Sequence, residues 1–442
     1  MAKEKPKLVD VEKPNLYREM FSYTELPRVI FDGLKIECDI PAKIWITDTT
    51  FRDGQQARPP YTPEQILKIY DLLHEIAGDT GLIRQCEFFL YASRDRKAVE
   101  LCKARGYKYP EITGWIRAVP EDFKLVSEMG LDETGILTSA SDYHIFLKLR
   151  KTRSQAMNAY LDIVKAALDN GVIPRCHLED ITRADYEGFI LPFAAELMKL
   201  AGQYNKPVKI RLCDTLGFGL PWPDTALPRS VPKLIYGLRQ IGVPSEWLEW
   251  HGHNDLHKGQ VNAATAWLYG CCAANSAIFG VGERTGNSPL EAMVIEHAQL
   301  KGQTQGVNYA AITELAEYAR KELGFEIPHN YPLVGRDFNV TRAGIHADGL
   351  LKDEEIYNCF DTEKLLNRPV SVAITDKTGA AGIKHWIEHV YQIEIAKHDW
   401  RVTKIKDKID SEYIDDRVSA ISDEEMFLWT KEVFGDDLPP LR

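Results

Sequence analysis

The sequence has 442 residues, of which 44% are hydrophobic and 27% are charged, and its formal net charge is −11 at pH 7. This length allows one large domain with a smaller one, or two to three domains, and the composition is typical of a soluble globular protein. The negative net charge argues against a nucleic-acid-binding protein, because such proteins carry clustered positive charge. The eight cysteines show no C-x-x-C spacing, which indicates reduced thiols in a cytoplasm rather than a zinc cage or a disulfide scaffold.

The first 40 residues are expected to form an N-terminal extension without a secretory signal. Residues 1–15 are charged and lack an apolar run, and residues 1–40 show no helical or strand periodicity. The uncharged stretch 263–282 has about the length of a membrane span, but Gly270, Asn275 and Ser276 interrupt it. A helix followed by a buried strand explains this stretch better, so we expect a soluble protein with no membrane partner.

From residue 43 onward, strand-like apolar runs alternate with helical patterns. The predicted strands lie near residues 43–49, 85–90, 111–117, 133–138, 172–178, 207–213, 247–252 and 277–281. Eight strands alternating with helices over about 250 residues predict an α/β fold, a (β/α)8 TIM barrel, at residues 41–302. A doubly wound open sheet is the alternative, but no glycine-rich dinucleotide loop follows the first strand.

After residue 302 the pattern changes. We predict a linker subdomain at residues 303–360 and a small, mainly helical C-terminal subdomain at residues 361–442. The predicted helices in this part lie at residues 307–323, 362–366, 381–390 and 423–433.

Polar residues cluster where the predicted barrel strands end, and active sites of such barrels lie at that face. Arg52 and Asp53 follow the first strand, where buried charges are costly unless they bind a ligand. His251 and His253 are two apart on the seventh strand, so both imidazoles project to one face. With Asp53 they form a two-histidine, one-carboxylate set suited to a divalent metal. A structural Arg–Asp pair and a hydrogen-bonded histidine pair are the alternatives.

Three segments resemble the motifs of the DRE-TIM metallolyase family: Asp48–Gln56 (DTTFRDGQQ), His251–Asp255 (HGHND) and Gly280–Asn287 (GVGERTGN). The resemblance covers roughly residues 43–390. Residues 341–349 are similar to the His-x-Ser-Gly-Ile-His segment of the branch that condenses acyl-CoA with 2-oxo acids, with Thr341 and Ala343 replacing its first histidine and its serine. That branch contains the 2-isopropylmalate, homocitrate and Re-citrate synthases.

The resemblance implies a set of site residues. The implied metal ligands are Asp53, His251, His253 and Asn287, for a divalent metal cation with Mn2+ or Co2+ favoured and Mg2+ or Zn2+ as alternatives. The implied catalytic residues are Arg52 as an oxyanion stabiliser, Glu179, and the acid/base pair His346 and Tyr357. The substrate-binding candidates are Gln56, Glu87, His144, Arg175, His177 and Thr215.

The expected reaction is a metal-dependent Claisen condensation of acetyl-CoA with a 2-oxo acid, followed by thioester hydrolysis that releases CoA. Arg175 favours a dicarboxylic acid, because a guanidinium facing an apolar tail would be an unpaired buried charge. His177 stands where homocitrate synthases have a serine and leaves less room, which favours oxaloacetate as substrate and citrate as product, the reaction of Re-citrate synthases. The alternative for Arg175 is an outward pair with an acidic helix residue.

Homocitrate or 2-isopropylmalate synthase is the alternative within the class. A biotin-dependent carboxyltransferase barrel would need a lysine that is carbamylated at the metal, and no strand end offers one. A non-catalytic binding barrel would not need Arg52, Glu179 and His346 together. Gln55, where many family members have glutamate, removes one negative charge from the pocket. We expect a cytoplasmic homodimer.

Overall fold

In a computed structural model, which describes residues 5–21, 29–302, 305–341, 346, 349–350, 352–396, 398–414, 417 and 419–439, eight parallel strands form a closed barrel. The strands are β1 Trp45–Asp48, β2 Ile83–Phe89, β3 Glu111–Ile116, β4 Glu133–Ser139, β5 Ile173–Glu179, β6 Lys209–Asp214, β7 Leu248–Gly252 and β8 Ala273–Ser276. β1 pairs with β8, with Thr47 opposite Asn275, and this pairing closes the barrel. The predicted (β/α)8 barrel is confirmed.

Helices alternate with the strands. They are α1 Pro63–Ala77, α2 Ser93–Lys103, α3 Phe123–Glu128, α4 Arg153–Asp169, α5 Leu191–Tyr204, α6 Val231–Gln240, α7 Gly259–Leu268 and α8 Leu290–Lys301. Local sequence explains where α1 begins. The Thr62 hydroxyl accepts from the Gln65 backbone N–H at 3.1 Å, the Gln65 side chain accepts from the Thr62 N–H at 2.9 Å, and Pro63 needs no partner at the first position.

The eighth strand lies earlier than predicted. Residues 277–281 were expected to form it, but they contain the 3-10 turn Ile278–Gly280, and β8 is the Ala-Ala-Asn-Ser segment before it. Alanine, asparagine and serine have low intrinsic strand propensity. Burial of all four residues between two neighbouring strands decides their conformation instead.

The described chain divides into two compact units, residues 1–308 and 309–442. The second contains α9 Ala310–Glu322, α10 Thr362–Leu366, α11 Ala380–Tyr391, α12 Trp400–Glu412 and α13 Asp423–Phe434, with the short parallel strands β9 Val340–Thr341 and β10 Ser371–Val372. The predicted helical character of this region is confirmed. The finer boundary between residues 360 and 361 stays a prediction.

The helix α12 was not among the predicted elements, because most of its positions are charged or polar. Val402, Ile405 and Ile409 form its buried stripe and join the hydrophobic core that α11 and α13 contribute. Within the described residues, no helix combines the length and the apolar character needed to cross a bilayer.

Candidate active site

Three predicted metal ligands converge at the carboxyl end of the barrel: Asp53 follows β1, His251 lies at the end of β7 and His253 follows it. One ligand atom each from Asp53, His251 and His253 lies within 4.8 Å of the others, and all three side chains are buried. Burial opposes the ionised form of Asp53, but the charge of Arg52 and the hydrogen bond from Asn287 help to hold the pKa of this carboxyl below its usual range. The group thus offers a carboxylate and two nitrogen donors, as a divalent cation requires.

The remaining atoms of this group also fit a cation. The amide nitrogen of Asn287 donates to Asp53 Oδ2 at 2.8 Å and to the Val281 carbonyl at 2.8 Å, so its oxygen is free to act as a ligand. Among the described residues, Asn287 Oδ1 and His253 Nδ1 are buried without a hydrogen-bond partner. Buried polar atoms without partners are rare in folded proteins, and an ion held by Asp53 and by His253 Nε2, which lies 3.8 Å from Asp53 Oδ2, would give the Asn287 oxygen a partner.

Arg52 lies between the metal group and Glu87. Its Nε donates to Glu87 Oε2 at 2.7 Å and its Nη1 donates to Asp53 Oδ1 at 2.9 Å. The side chain is 9% exposed and its guanidinium lies over the Trp115 ring, 5.8 Å from the centroid. The guanidinium is therefore held next to the metal group by two charge-assisted hydrogen bonds.

A second polar cluster surrounds Glu179 at the end of β5. Glu179 Oε2 accepts from the Ser139 hydroxyl and lies 2.9 Å from His144 Nδ1 and 3.2 Å from Lys148 Nζ. Burial would raise the pKa of Glu179, but the hydrogen bond and charge of His144, with Ser139 and Lys148, lower it to about 2. Glu179 is therefore ionised at neutral pH.

The N-terminal extension packs against the loop that carries His144. The Asn15 backbone N–H donates to Asp142 Oδ2 at 2.7 Å, and the Tyr143 hydroxyl donates to the Leu16 carbonyl at 3.0 Å. Arg153 also binds Asp142, at 2.7 and 2.9 Å, and its own side chain is fully buried. These contacts fix the start of the π-helical turn Tyr143–Lys148.

Arg175 and His177 lie in the barrel interior below Glu179. Arg175 is 1% exposed, and its guanidinium lies 2.9 Å from Glu249 Oε2 and 3.0 Å from Glu133 Oε1. His177 Nε2 lies 3.5 Å from Glu87 Oε1, and burial holds the pKa of this imidazole well below its usual value. Arg175 of β5 therefore pairs across the barrel interior with glutamates of β4 and β7, not with a helix residue.

The predicted pocket residues Gln56 and Thr215 lie at the rim of the barrel. Gln56 is exposed in the 3-10 turn Gly54–Ala57, and the Thr215 hydroxyl accepts from the Asp180 N–H at 2.9 Å. Gln55 donates to the Phe51 carbonyl at 2.6 Å, so it stabilises the turn that holds Arg52 and Asp53.

His346 and Tyr357 belong to the second unit. Their ring centroids lie 4.5 Å apart, and both side chains are exposed. Residues 342–345 and 347–348 of the same motif, including Ala343, lie outside the described residues. The two candidate acid/base residues therefore contact each other.

Sequence reasoning missed several residues that contact the predicted site residues, among them Glu133, Lys148, Arg211, Glu249 and Asn275. Arg211 and Glu249 are charged residues inside the buried strands β6 and β7. A charged residue within a predicted buried strand is the signal that could have identified them. Asn275 had none, because its strand was predicted at the wrong position.

Comparison with known proteins identifies the family. Residues 43–318 match the HMGL-like family model. The chain is 53% identical over 435 residues to a citrate (Re)-synthase of Clostridium kluyveri, covering 97% of this chain and 96% of that protein. It is 54% identical over 444 residues to a citrate (Re)-synthase of Syntrophus aciditrophicus, covering 98% of this chain and 71% of that protein.

Among solved structures, the HMG-CoA lyase of Bacillus subtilis is similar in fold. Its TM-score is 0.51 at 18% identity, covering 65% of this chain and 96% of the lyase. The barrel, the three motifs and the family match agree: the chain belongs to the HMGL-like family of DRE-TIM enzymes.

Proposed function

We propose that this protein is an acyltransferase that condenses acetyl-CoA with oxaloacetate and releases citrate and CoA. This proposal rests on the similarity to two citrate (Re)-synthases, which are 53% and 54% identical to the chain over 97% and 98% of its length. The polar residues at the barrel mouth support it, because the reaction needs a metal-binding group and an oxyanion stabiliser.

Asp53, His251, His253 and Asn287 would hold the divalent cation, with Mn2+ or Co2+ favoured. Such a cation polarises the ketone of a bound 2-oxo acid when it is present. The imidazoles suit this role, because burial lowers the pKa of His251 to about 3 and leaves its ring neutral.

Arg52 would stabilise the negative charge that develops on the ketone oxygen. Two of its nitrogens already donate to Glu87 and Asp53, so the guanidinium is oriented before substrate arrives. Preorganised donors of this kind lower the barrier because they need no reorganisation during the reaction.

Glu179 would act as the fixed negative partner of His144. A carboxylate with a pKa of about 2 is a poor proton acceptor at neutral pH, but its oxygen lies 2.9 Å from His144 Nδ1 and orients that ring. We place His346 and Tyr357 as the pair that moves the proton of the acetyl methyl group, since their rings are in contact and exposed to solvent.

The test is a free-thiol assay of CoA release from acetyl-CoA with oxaloacetate, 2-oxoglutarate and 2-oxoisovalerate, followed by chromatography of the product. We expect the highest kcat/KM with oxaloacetate, and citrate as the product. A preference for 2-oxoglutarate or 2-oxoisovalerate would instead make the protein a homocitrate or 2-isopropylmalate synthase. Absence of CoA release with every acid would overturn the proposal. We also propose that the protein is a cytoplasmic homodimer. Light scattering, which measures the mass of the particle in solution, tests the dimer.

A further inference from the structure

A row of buried ion pairs runs through the barrel interior, starting at the candidate active site. Each member pairs with the next; this interior charge chain consists of Arg52, Glu87, Arg211, Glu249, Arg175, Glu133 and Lys209. Lys209 is the first residue of β6, so the chain reaches the end of the barrel opposite the active site. A barrel core is normally apolar, which makes this row of charges a feature that needs an explanation.

Arg211 lies between two carboxylates in the middle of the interior charge chain. Its Nη1 donates to Glu87 Oε2 at 2.9 Å, and its Nε and Nη2 donate to the two oxygens of Glu249 at 2.9 and 3.0 Å. The side chain has no exposed surface. Removing one partner of such a pair is costly, because it leaves an uncompensated buried charge.

Glu87 depends on two arginines for its orientation. Its Oε2 accepts from Arg52 Nε at 2.7 Å and from Arg211 Nη1 at 2.9 Å. Its Oε1 has no hydrogen-bond partner among the described residues, and His177 Nε2 lies 3.5 Å from it. Without Arg211, only Arg52 and the 3.4 Å contact from the Thr49 hydroxyl would hold Oε2 in place.

The charge of Glu87 depends mainly on Arg211 as well. Burial by itself would raise the pKa of Glu87, but Arg211 first and Arg52 second hold it well below its usual range. The orientation of Glu87 also depends on space, because Gly135 has no side chain where Glu87 Oε1 and His177 Nε2 approach each other. A Cβ there would come within 2.9 Å of Glu87 Oε1 and 2.5 Å of His177 Nε2.

We infer that Arg211 is a positioning residue for the proposed condensation, which acts on Arg52 through the shared carboxylate of Glu87. The inference rests on the proposed function. Arg211 holds Glu87 in one orientation, Glu87 holds Arg52 Nε, and Arg52 thereby keeps a fixed direction toward the ketone oxygen. Residues behind a catalytic group act in this way when their loss lets that group move.

The competing explanation is that the interior charge chain only fills the barrel core. In that case, loss of any of its cations should reduce activity in proportion to the loss of stability. Lys209→Met is the matched control, because Lys209 lies two residues before Arg211 on the same face of β6 and pairs with Glu133, which has no contact with Arg52.

The test compares Arg211→Met, Arg211→Lys and Lys209→Met in the full-length enzyme, with kcat, KM for oxaloacetate and Tm measured for each. We expect Arg211→Met to lower kcat by about 10–100-fold, the range for residues that orient an active-site ligand, with little change in KM. Arg211→Lys should lose less, because it keeps the charge. Lys209→Met should keep kcat, and its Tm should fall less than that of Arg211→Met, because the Lys209 side chain is 22% exposed.

A double-mutant cycle with Arg52→Lys separates positioning from packing. Lysine lacks the Nε–H that Glu87 accepts, so Arg211→Met should cause little further loss of kcat in this background. If Arg211→Met does not fold, Arg211→Lys takes its place in the cycle. Full additivity, or equal losses of kcat in Arg211→Met and Lys209→Met, would overturn the inference. Failure of the proposed function would be seen separately, as a wild-type enzyme that does not release CoA.

Discussion

The imidazole of His251 and the amide of Asn275 face each other across β7 and β8, with Nδ1 2.7 Å from Oδ1. The Asn275 nitrogen donates to the Thr47 carbonyl at 3.2 Å and to the Thr47 hydroxyl at 2.9 Å, so its oxygen is the acceptor toward His251. His251 Nδ1 therefore carries the proton, and Nε2 keeps its lone pair for a metal. A hydrogen bond of this kind fixes both the tautomer and the ring orientation of a ligating histidine.

Replacing Asn275 should weaken metal binding without removing a ligand. We expect Asn275→Ala to lower the affinity for Co2+ by about 10–100-fold, because His251 loses its orienting partner. Competition with a chromophoric chelator measures this affinity. Ser276→Ala, at the next position on β8, is the control and should bind Co2+ as the wild type does. An unchanged affinity in Asn275→Ala would show that the hydrogen bond does not orient the ligand.

Removal of the metal should abolish turnover. After chelator treatment, verified by elemental analysis, we expect no CoA release, and added Mn2+ or Co2+ should restore it. Asp53→Asn should bind the cation more weakly, because the site loses its only carboxylate among Asp53, His251 and His253. Full activity in a verified metal-free sample would contradict the metal-dependent reaction.

The proposed acid/base pair lies outside the barrel unit. We expect His346→Ala and Tyr357→Phe to lower kcat by roughly 10²–10⁴-fold, as loss of a general acid or base does, with modest change in KM for the oxo acid. His329→Ala removes another exposed histidine of the same unit and should leave kcat unchanged. Normal turnover in both His346→Ala and Tyr357→Phe would move the proton transfer to another residue.

Arg175 tests how the enzyme recognises the second carboxylate of its substrate. If Arg175 reads it, Arg175→Ala should lose the preference for oxaloacetate over 2-oxoisovalerate, measured as the ratio of kcat/KM. The variant also leaves Glu133 and Glu249 with one cation fewer, so Tm should fall as well. If the folded variant keeps its preference for oxaloacetate, another residue recognises the second carboxylate. The ion pairs of Arg175 with Glu133 and Glu249 would then be its only role.

Asp48 should make stability depend on pH. Burial raises the pKa of Asp48 to about 7, although hydrogen bonds from the Thr50 N–H and hydroxyl act in the opposite direction. Because an unfolded aspartate titrates near 4, the stability that protonated Asp48 contributes is present below about pH 4 and is lost as pH rises through about 7. Asp48→Asn should therefore lose less free energy of unfolding between pH 4.5 and about 7.5 than the wild type, by about 3 kcal/mol.

Urea unfolding at several pH values, with chelator present throughout, measures this difference. Asp79→Asn, at an exposed position, is the control and should follow the wild-type curve. The prediction is wrong if Asp48→Asn and the wild type lose the same free energy over this range.

Much of the site could be predicted from the sequence, because its signals are local. The two-residue spacing of His251 and His253 places both rings on one face of a strand whatever the rest of the fold does. The alternation of strands and helices predicts a barrel, and a parallel barrel brings every strand end to one face. The convergence of Asp53 with both histidines follows from these two facts.

What only the tertiary structure decided is which partner each buried polar group takes. Arg175 was expected to face a substrate carboxylate or an outer helix, but in the closed barrel Glu133 of β4 and Glu249 of β7 reach it first. Asn275 lies 228 residues from Thr47 in sequence and becomes its neighbour only when β8 pairs with β1. Strand register across a closed barrel is a property of the whole sheet, so no local pattern specifies these contacts.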